Sequence, residues 1–206
     1  LFQRGPRRVV ENVDPFVVHV VVIVVMRKEP LVVLGQATEG KPAAHLEQVP
    51  DRDRLPGIAW QPSEREAAAL PDIDAHAAAA GAASVRPAIR LDVGERPWPL
   101  ARADALLCCN MIHIAPWAAA EGLFAGAGHV LSGGAPLLLY GPFLRDGVET
   151  APSNLAFDRS LRERDPRWGL RSLESEVLPL AARCGFALAE TVEMPANNLT
   201  LLFRRS

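Results

Sequence analysis

At 206 residues, with 49% hydrophobic and 22% charged side chains, the chain can bury the core of one domain and lacks the composition of a disordered segment. A formal charge of -2 gives no global attraction to nucleic acid or to an anionic membrane. Three cysteines, Cys108, Cys109 and Cys184, form neither a metal spacing nor an even disulfide set, which points to a reducing cytoplasm.

Residues 16–26 are the longest apolar run, broken only by His19. The run is shorter than the roughly 20 residues that a bilayer span needs. Glu11 and Asp14 precede it and no small-residue cleavage site follows, so it does not read as a secretory leader. Built almost entirely of Val and Ile, it reads as a buried strand. The text up to residue 56 stays irregular, with Lys41-Pro42 and the charged stretch Asp51-Arg52-Asp53-Arg54.

From Gly57 onward, short apolar runs alternate with alanine-rich helical segments. Ile58-Ala59-Trp60 predicts a strand, ended by Gln61-Pro62-Ser63. Residues 64–80 have helical composition with a break at Pro71-Asp72. Residues 85–93 and 104–111 predict two further strands, and residues 116–130 a helix. Residues 135–143 predict a fourth strand after the Gly133-Gly134 turn. An arginine-rich polar connection follows, then a helix over 173–184 capped by Gly185. Residues 186–193 and 199–204 predict two closing strands. Strands spaced by helices argue for a parallel sheet, whereas the short last connection forces its two strands to pair antiparallel. No internal repeat is visible.

Ligands in open parallel sheets bind at the carboxyl ends of the strands, so the residues just past each strand are the candidates. Glu64 can accept hydrogen bonds from two ribose hydroxyls. It can equally be a favourable charge at a helix start capped by Ser63. Asp92 can accept from an adenine amine, but Asp before Val93-Gly94 is also an ordinary turn residue. Asn110 and His113 are polar groups among apolar neighbours, which requires that they be satisfied. A histidine in such a place is more often structural than a base. Tyr140 ends the next strand, and Asn154 and Asn197 lie in the polar loops beyond. For the arginines and aspartates of 158–165, ion pairs holding a lid are the preferred reading. No Ser-His-Asp order, metal triad or GxxxxGK sequence stands out.

The strings Trp60-Gln61-Pro62-Ser63, Asn110-Met111-Ile112-His113-Ile114-Ala115-Pro116-Trp117 and Leu138-Leu139-Tyr140-Gly141-Pro142-Phe143 carry a resemblance. Ser153-Asn154 with Phe157-Asp158, Arg164-Asp165-Pro166 with Trp168-Gly169, and Met194-Pro195-Ala196-Asn197-Asn198 extend it. Over about residues 57–206 the chain resembles the DUF938 family of predicted S-adenosylmethionine-dependent methyltransferases. The resemblance implies a Rossmann-like class I methyltransferase sheet, mostly parallel with a C-terminal antiparallel hairpin. It implies S-adenosylmethionine as cofactor, with Glu64 toward the ribose, Asp92 toward the adenine, and Asn110 and Met111 toward the methionine end. His113, Tyr140, Asn154 and Asn197 fall on the side of an unidentified methyl acceptor.

Upstream the pattern departs. The family's first strand leads into a Glu-x-x-Ser-Gly-x-Gly-x-His loop, and the nearest text here offers only Gly35 and Gly40, at the wrong spacing. Gln36, Thr38, Glu39 and Lys41 fill that region, so cofactor binding is expected to be weak or lost. Residues 1–56 are accordingly expected to be a frame-shifted or truncated first βα unit ahead of a methyltransferase-like domain over 57–206. The functional alternative is a noncatalytic methyltransferase-like binding module. A nicotinamide-dependent oxidoreductase is disfavoured, because no G-x-G-x-x-G follows a strand.

Overall fold

The computed structural model describes residues 22–26 (backbone only), 58–81 and 84–206. Gly35 and Gly40 lie outside them.

Six strands form the main sheet: β1 (Val22–Met26), β2 (Ala59–Gln61), β5 (Ala105–Cys109), β6 (Pro136–Gly141), β9 (Phe186–Met194) and β10 (Asn198–Arg205). Their spatial order is β2-β1-β5-β6-β10-β9. The apolar run expected to be a strand thus supplies β1, between β2 and β5 and antiparallel to both. It follows that β2 and β5 share one direction, and β6 pairs parallel to β5. The closing strands form the expected antiparallel hairpin, and β10 is also antiparallel to β6. The sheet is therefore mixed, with the α/β layering of the Rossmann-like class I methyltransferase fold.

Three local expectations are corrected. Residues 64–80 are not one helix. Ser63–Glu64 form the two-residue β3, paired parallel with β4 (Ile89–Arg90) in a small separate sheet. After a 3-10 turn, α1 runs Leu70–Ala79 with Pro71 in its first turn, where a missing N–H costs nothing, so the proline starts the helix instead of breaking it. Ser63 caps no helix, because its backbone is in a strand. Residues 85–93 are not one strand in the main sheet: Val85 only bridges Trp60, and pairing resumes at β4.

The third correction is the arginine-rich connection. Beyond β7 (Phe143–Leu144) it contains α3 (Pro152–Arg164), followed by β8 (Arg171–Ser172), which pairs parallel with β7. A π-helical turn over Leu173–Val177 leads into α4 (Leu178–Arg183), and Gly185, at φ 74°, ends it as expected. The predicted helix at 116–130 is α2 (Trp117–Val130).

The core lies between the main sheet and α2 with α4. On α2, Ala120, Leu123, Phe124, Ala127 and Val130 are buried, a three-four spacing that puts them on one face. Phe124 meets the rings of Phe186 and Phe203 edge-on at 5.7 and 5.5 Å. Burying each such side chain contributes roughly 1.5–3 kcal/mol. Gly126 lets α2 settle on Trp98, since a Cβ there would stand 2.1 Å from the indole ring.

Candidate functional site

The carboxyl ends of β2, β5 and β6 point the same way, because β2 and β5 are both antiparallel to β1 and β6 is parallel to β5. The chain leaves each at a sequence-predicted residue. Glu64 follows β2, is 6% exposed, and accepts a hydrogen bond at Oε1 from the Glu66 N–H at 3.0 Å. The described residues supply no second bond to this buried carboxylate. Asp92 follows β4, and its Oδ1 accepts from the Gly94 N–H at 2.8 Å. That is the geometry of the turn reading, with one carboxylate oxygen engaged and the other not.

Asn110 stands just past β5 in the left-handed region, at φ 57°. Asparagine tolerates that conformation better than most residues. Its N–H donates to the Tyr140 carbonyl at 2.8 Å, which locks the turn to β6. Met111 is 3% exposed and packs in the main core, so its side chain serves the fold and only its backbone lies at the sheet edge.

His113 is fully buried. Among the described residues no donor or acceptor reaches either ring nitrogen at hydrogen-bonding geometry, although the Gly169 backbone is close enough to favour the protonated ring. The ring stands edge-on to Phe143 at 4.9 Å. Burial above all, and then the Arg171 cation, push its pKa down to about 3, so it is neutral near pH 7. It sits beneath Gly141: a Cβ on that glycine would stand 2.7 Å from His113 Nε2 and 3.0 Å from Asn110 Oδ1.

A second group forms beside β6. The phenol oxygen of Tyr140 accepts from Nδ2 of Asn198 at 3.1 Å, and burial pushes the phenol's pKa up. Asn154, 8% exposed on α3, donates from Nδ2 to the Asn197 carbonyl at 3.0 Å. Asn197 in turn donates to Ser153 Oγ at 3.4 Å. Asn154, Asn197 and Asn198, but not Tyr140 or Ser153, border a cleft of about 210 Å³ between the loop after β7, the start of α3 and the β9–β10 connection. Asn154 and Asn197 line it together, as do Asn198, Arg145, Glu149 and Glu193, which the sequence reading did not single out. His113, Glu64 and Asp92 do not line it.

Arg171 was also missed. It is 8% exposed and donates to three carbonyls: Ile112 at 2.9 Å, Ala115 at 2.8 Å and Arg167 at 2.9 Å. Its guanidinium thereby clamps the segment after β5 to the loop before β8. The available signal was a charged residue between Leu170 and Leu173. The ion pairs expected in this region are present, with Arg162 on Asp158 at 2.8 Å and Arg167 on Asp165 at 2.7 Å. Burial pushes up the thiols of both Cys108 and Cys109, the latter to about 12, so neither is a nucleophile near neutrality. Among the described residues there is no cluster that could hold a metal ion, and no helix long and apolar enough to cross a membrane.

The family described as protein of unknown function (DUF938) matches residues 17–205. The chain belongs to the DUF938 family. The match starts well upstream of residue 57 and takes in β1. Among solved structures, the mitomycin 7-O-methyltransferase MmcR is similar at 19% identity and TM-score 0.66, over 75% of this chain and 44% of that one. PigF with SAH is similar at 15% identity and TM-score 0.63, over 75% and 45%. The LepI complex with SAM is similar at 13% identity and TM-score 0.61, over 75% and 38%. The DUF938 chain spans under half the length of each of these proteins. Likeness at such low identity establishes the shared fold.

Proposed function

We propose that this DUF938 protein is an S-adenosylmethionine-dependent methyltransferase acting on an unidentified small or medium acceptor. The observation that carries the reading is the cleft of Asn154, Asn197 and Asn198, which Phe143 lines just beyond the carboxyl end of β6. In this fold that edge is where ligands bind. The solved relatives supply the chemistry, since one is named as an O-methyltransferase and two are named with SAM or SAH.

The residues present fit the nucleoside half of the cofactor. Glu64 is a buried carboxylate with a single hydrogen bond from the described residues, and so has lone pairs for ribose hydroxyls. Asp92 keeps one oxygen for the adenine amine. Asn110 and the Met111 backbone stand where the methionine end belongs. When bound, the cofactor supplies an electrophilic methyl on its sulfonium. The protein's part is then positioning: the asparagine cleft orients the acceptor for in-line attack, which alone can lower the barrier substantially. Tyr140 stays a phenol and His113 stays buried and neutral, so neither takes the acceptor's proton.

A noncatalytic methyltransferase-like module is the second reading, and the direction of β1 favours it. Being antiparallel to β2 and β5, β1 ends at Met26 opposite Ala59, the amino end of β2. The chain therefore leaves β1 at the sheet edge opposite Asn110, whereas a cofactor loop has to reach the same edge as Asn110. Calorimetric titration with S-adenosylmethionine and with NAD decides between the readings. Micromolar binding of the first supports the enzyme. Binding of neither, restored by a Gly-x-Gly loop of the family pattern in place of residues 31–45, supports the module.

A further inference from the structure

The three cleft asparagines share one feature: their nitrogen ends are spent on the protein. Nδ2 of Asn154 donates to the Asn197 carbonyl, Nδ2 of Asn197 to Ser153 Oγ, and Nδ2 of Asn198 to both Tyr140 Oη and the Pro195 carbonyl. A carbonyl partner can be served only by the nitrogen end of an amide, so the oxygen ends of Asn154 and Asn198 are turned away from those partners. No described residue donates to the side-chain oxygen of any of the three. Although Asn154 is only 8% exposed as a residue, its Oδ1 keeps solvent access and is therefore reachable by a ligand.

The charges around the cleft point the same way. Glu149 and Glu193 line it as carboxylates, and Arg145 is the single cation among its lining residues, 3.6 Å from Glu193. The oxygens of the asparagines and of the two glutamates make the site rich in acceptors. Its side-chain donors are the Arg145 guanidinium and the Thr150 hydroxyl, and with two carboxylates against one guanidinium it is weakly negative. Phe143, Val148 and Met194 add apolar surface. The volume of about 210 Å³ is below the roughly 300 Å³ where sites for drug-sized ligands begin, so the occupant is about one ring in size.

We infer that the cleft recognises a small, non-anionic, donor-rich molecule, an amine or alcohol whose N–H or O–H groups meet the oxygens of Asn154 and Asn198. The inference rests on the methyltransferase reading only in naming that molecule the methyl acceptor. A neutral amine or an alcohol would give its lone pair to the methyl as the carbon–sulfur bond breaks, S-adenosylhomocysteine would leave, and the acceptor's proton would pass to solvent through the open cleft.

The test uses three probes of one shape, benzylamine, benzyl alcohol and benzoate, followed by proton–nitrogen correlation spectra of the full chain without cofactor. Dissociation constants on the order of millimolar are expected for the amine and the alcohol, with benzoate about tenfold weaker or more. The shifts should centre on the side-chain amides of Asn154, Asn197 and Asn198. Asn154→Ala should abolish binding of the alcohol. Because that change also frees the Asn197 loop, Glu193→Gln provides a second arm on an exposed side chain, and it should narrow the gap between amine and benzoate. Benzoate binding as well as the others, no binding by any probe, or an unchanged gap in Glu193→Gln would overturn the inference. The probes need no cofactor, so failure to bind S-adenosylmethionine alongside an intact probe order rejects the methyltransferase reading and leaves this one standing.

Discussion

Nδ2 of Asn198 donates to the phenol oxygen of Tyr140 at 3.1 Å, joining the start of β10 to its antiparallel neighbour β6 at the cleft. Tyr140 is the chain's only tyrosine, so its ionisation can be read without interference. Burial raises its pKa first and Cys109 adds to the rise, while the Asn198 donor opposes both by favouring the phenolate. A phenolate absorbance titration should give a midpoint above 10.0, and Asn198→Ala should move it higher. The sign for stability follows. The fold favours the neutral phenol, so its contribution is full below the unfolded pKa and is lost as pH rises past it. A midpoint below 10.0 in the intact protein would show that the phenol is not held in this environment.

Gly141 should not tolerate a methyl group. An alanine Cβ there would stand 2.7 Å from His113 Nε2 and 2.9 Å from His113 Cδ2, in a region with no slack. Overpacking of this kind costs about 1–3 kcal/mol, and denaturant unfolding of Gly141→Ala should show it. Adding His113→Ala to the same chain opens the space and should recover part of the loss. Additive destabilisation in the double variant would mean that the two residues do not share the contact.

The relation between Gly141 and His113 also marks what sequence reasoning reaches. The strands β5, β6, β9 and β10 were legible as short apolar runs, and the helix α2 as an alanine-rich segment between two of them. Helix α3 was not, since it buries only Asn154 and Leu161 and has no apolar stripe. The run containing β1 was readable as a strand, but Val and Ile carry no direction, so its antiparallel placement stayed hidden. At the site, each of Asn110, Tyr140, Asn154 and Asn197 could be named from its place after a strand or in a family string. Asn198 lay in the same string and was passed over, because its bond to Tyr140 depends on the register of β10 against β6. The Arg171 clamp likewise spans more than fifty residues of sequence.

Arg171→Lys should destabilise the protein in spite of the retained charge. The guanidinium serves the carbonyls of Ile112, Ala115 and Arg167 from Nε and one Nη together. A lysine ammonium is a point donor that cannot span them, and the positions are buried enough to exclude water. A loss of about 2–3 kcal/mol is expected in urea unfolding, from carbonyls left without donors. The loop before β8 should loosen as well, with faster hydrogen exchange at the Gly169 N–H, which donates to the His113 carbonyl at 2.8 Å. A lysine variant as stable as the parent would reduce Arg171 to a packing residue.

Replacing His113 should change how the protein responds to acid more than how stable it is at neutral pH. Burial, reinforced by the Arg171 cation, lowers its folded pKa from 6.5 to about 3, with the Gly169 backbone and Asp158 opposing only in part. In the unfolded chain it protonates near 6.5. The native state thus binds fewer protons than the unfolded state between those values. The histidine's contribution is fully present above pH 6.5 and is lost as pH falls toward about 3. Over that window the linked change is on the order of a few kcal/mol, since each pKa unit corresponds to about 1.4 kcal/mol. His113→Leu removes the titrating group and keeps an apolar side chain in contact with Phe143. At pH 7 the substitution should be nearly neutral or stabilising, because it deletes two ring nitrogens that have no hydrogen-bond partner among the described residues. Between pH 6.5 and 4 the variant should lose much less stability than the parent, which parallel urea titrations at each pH would reveal. Equal acid slopes in the two proteins would mean that the imidazole is reached by water and titrates near its ordinary value.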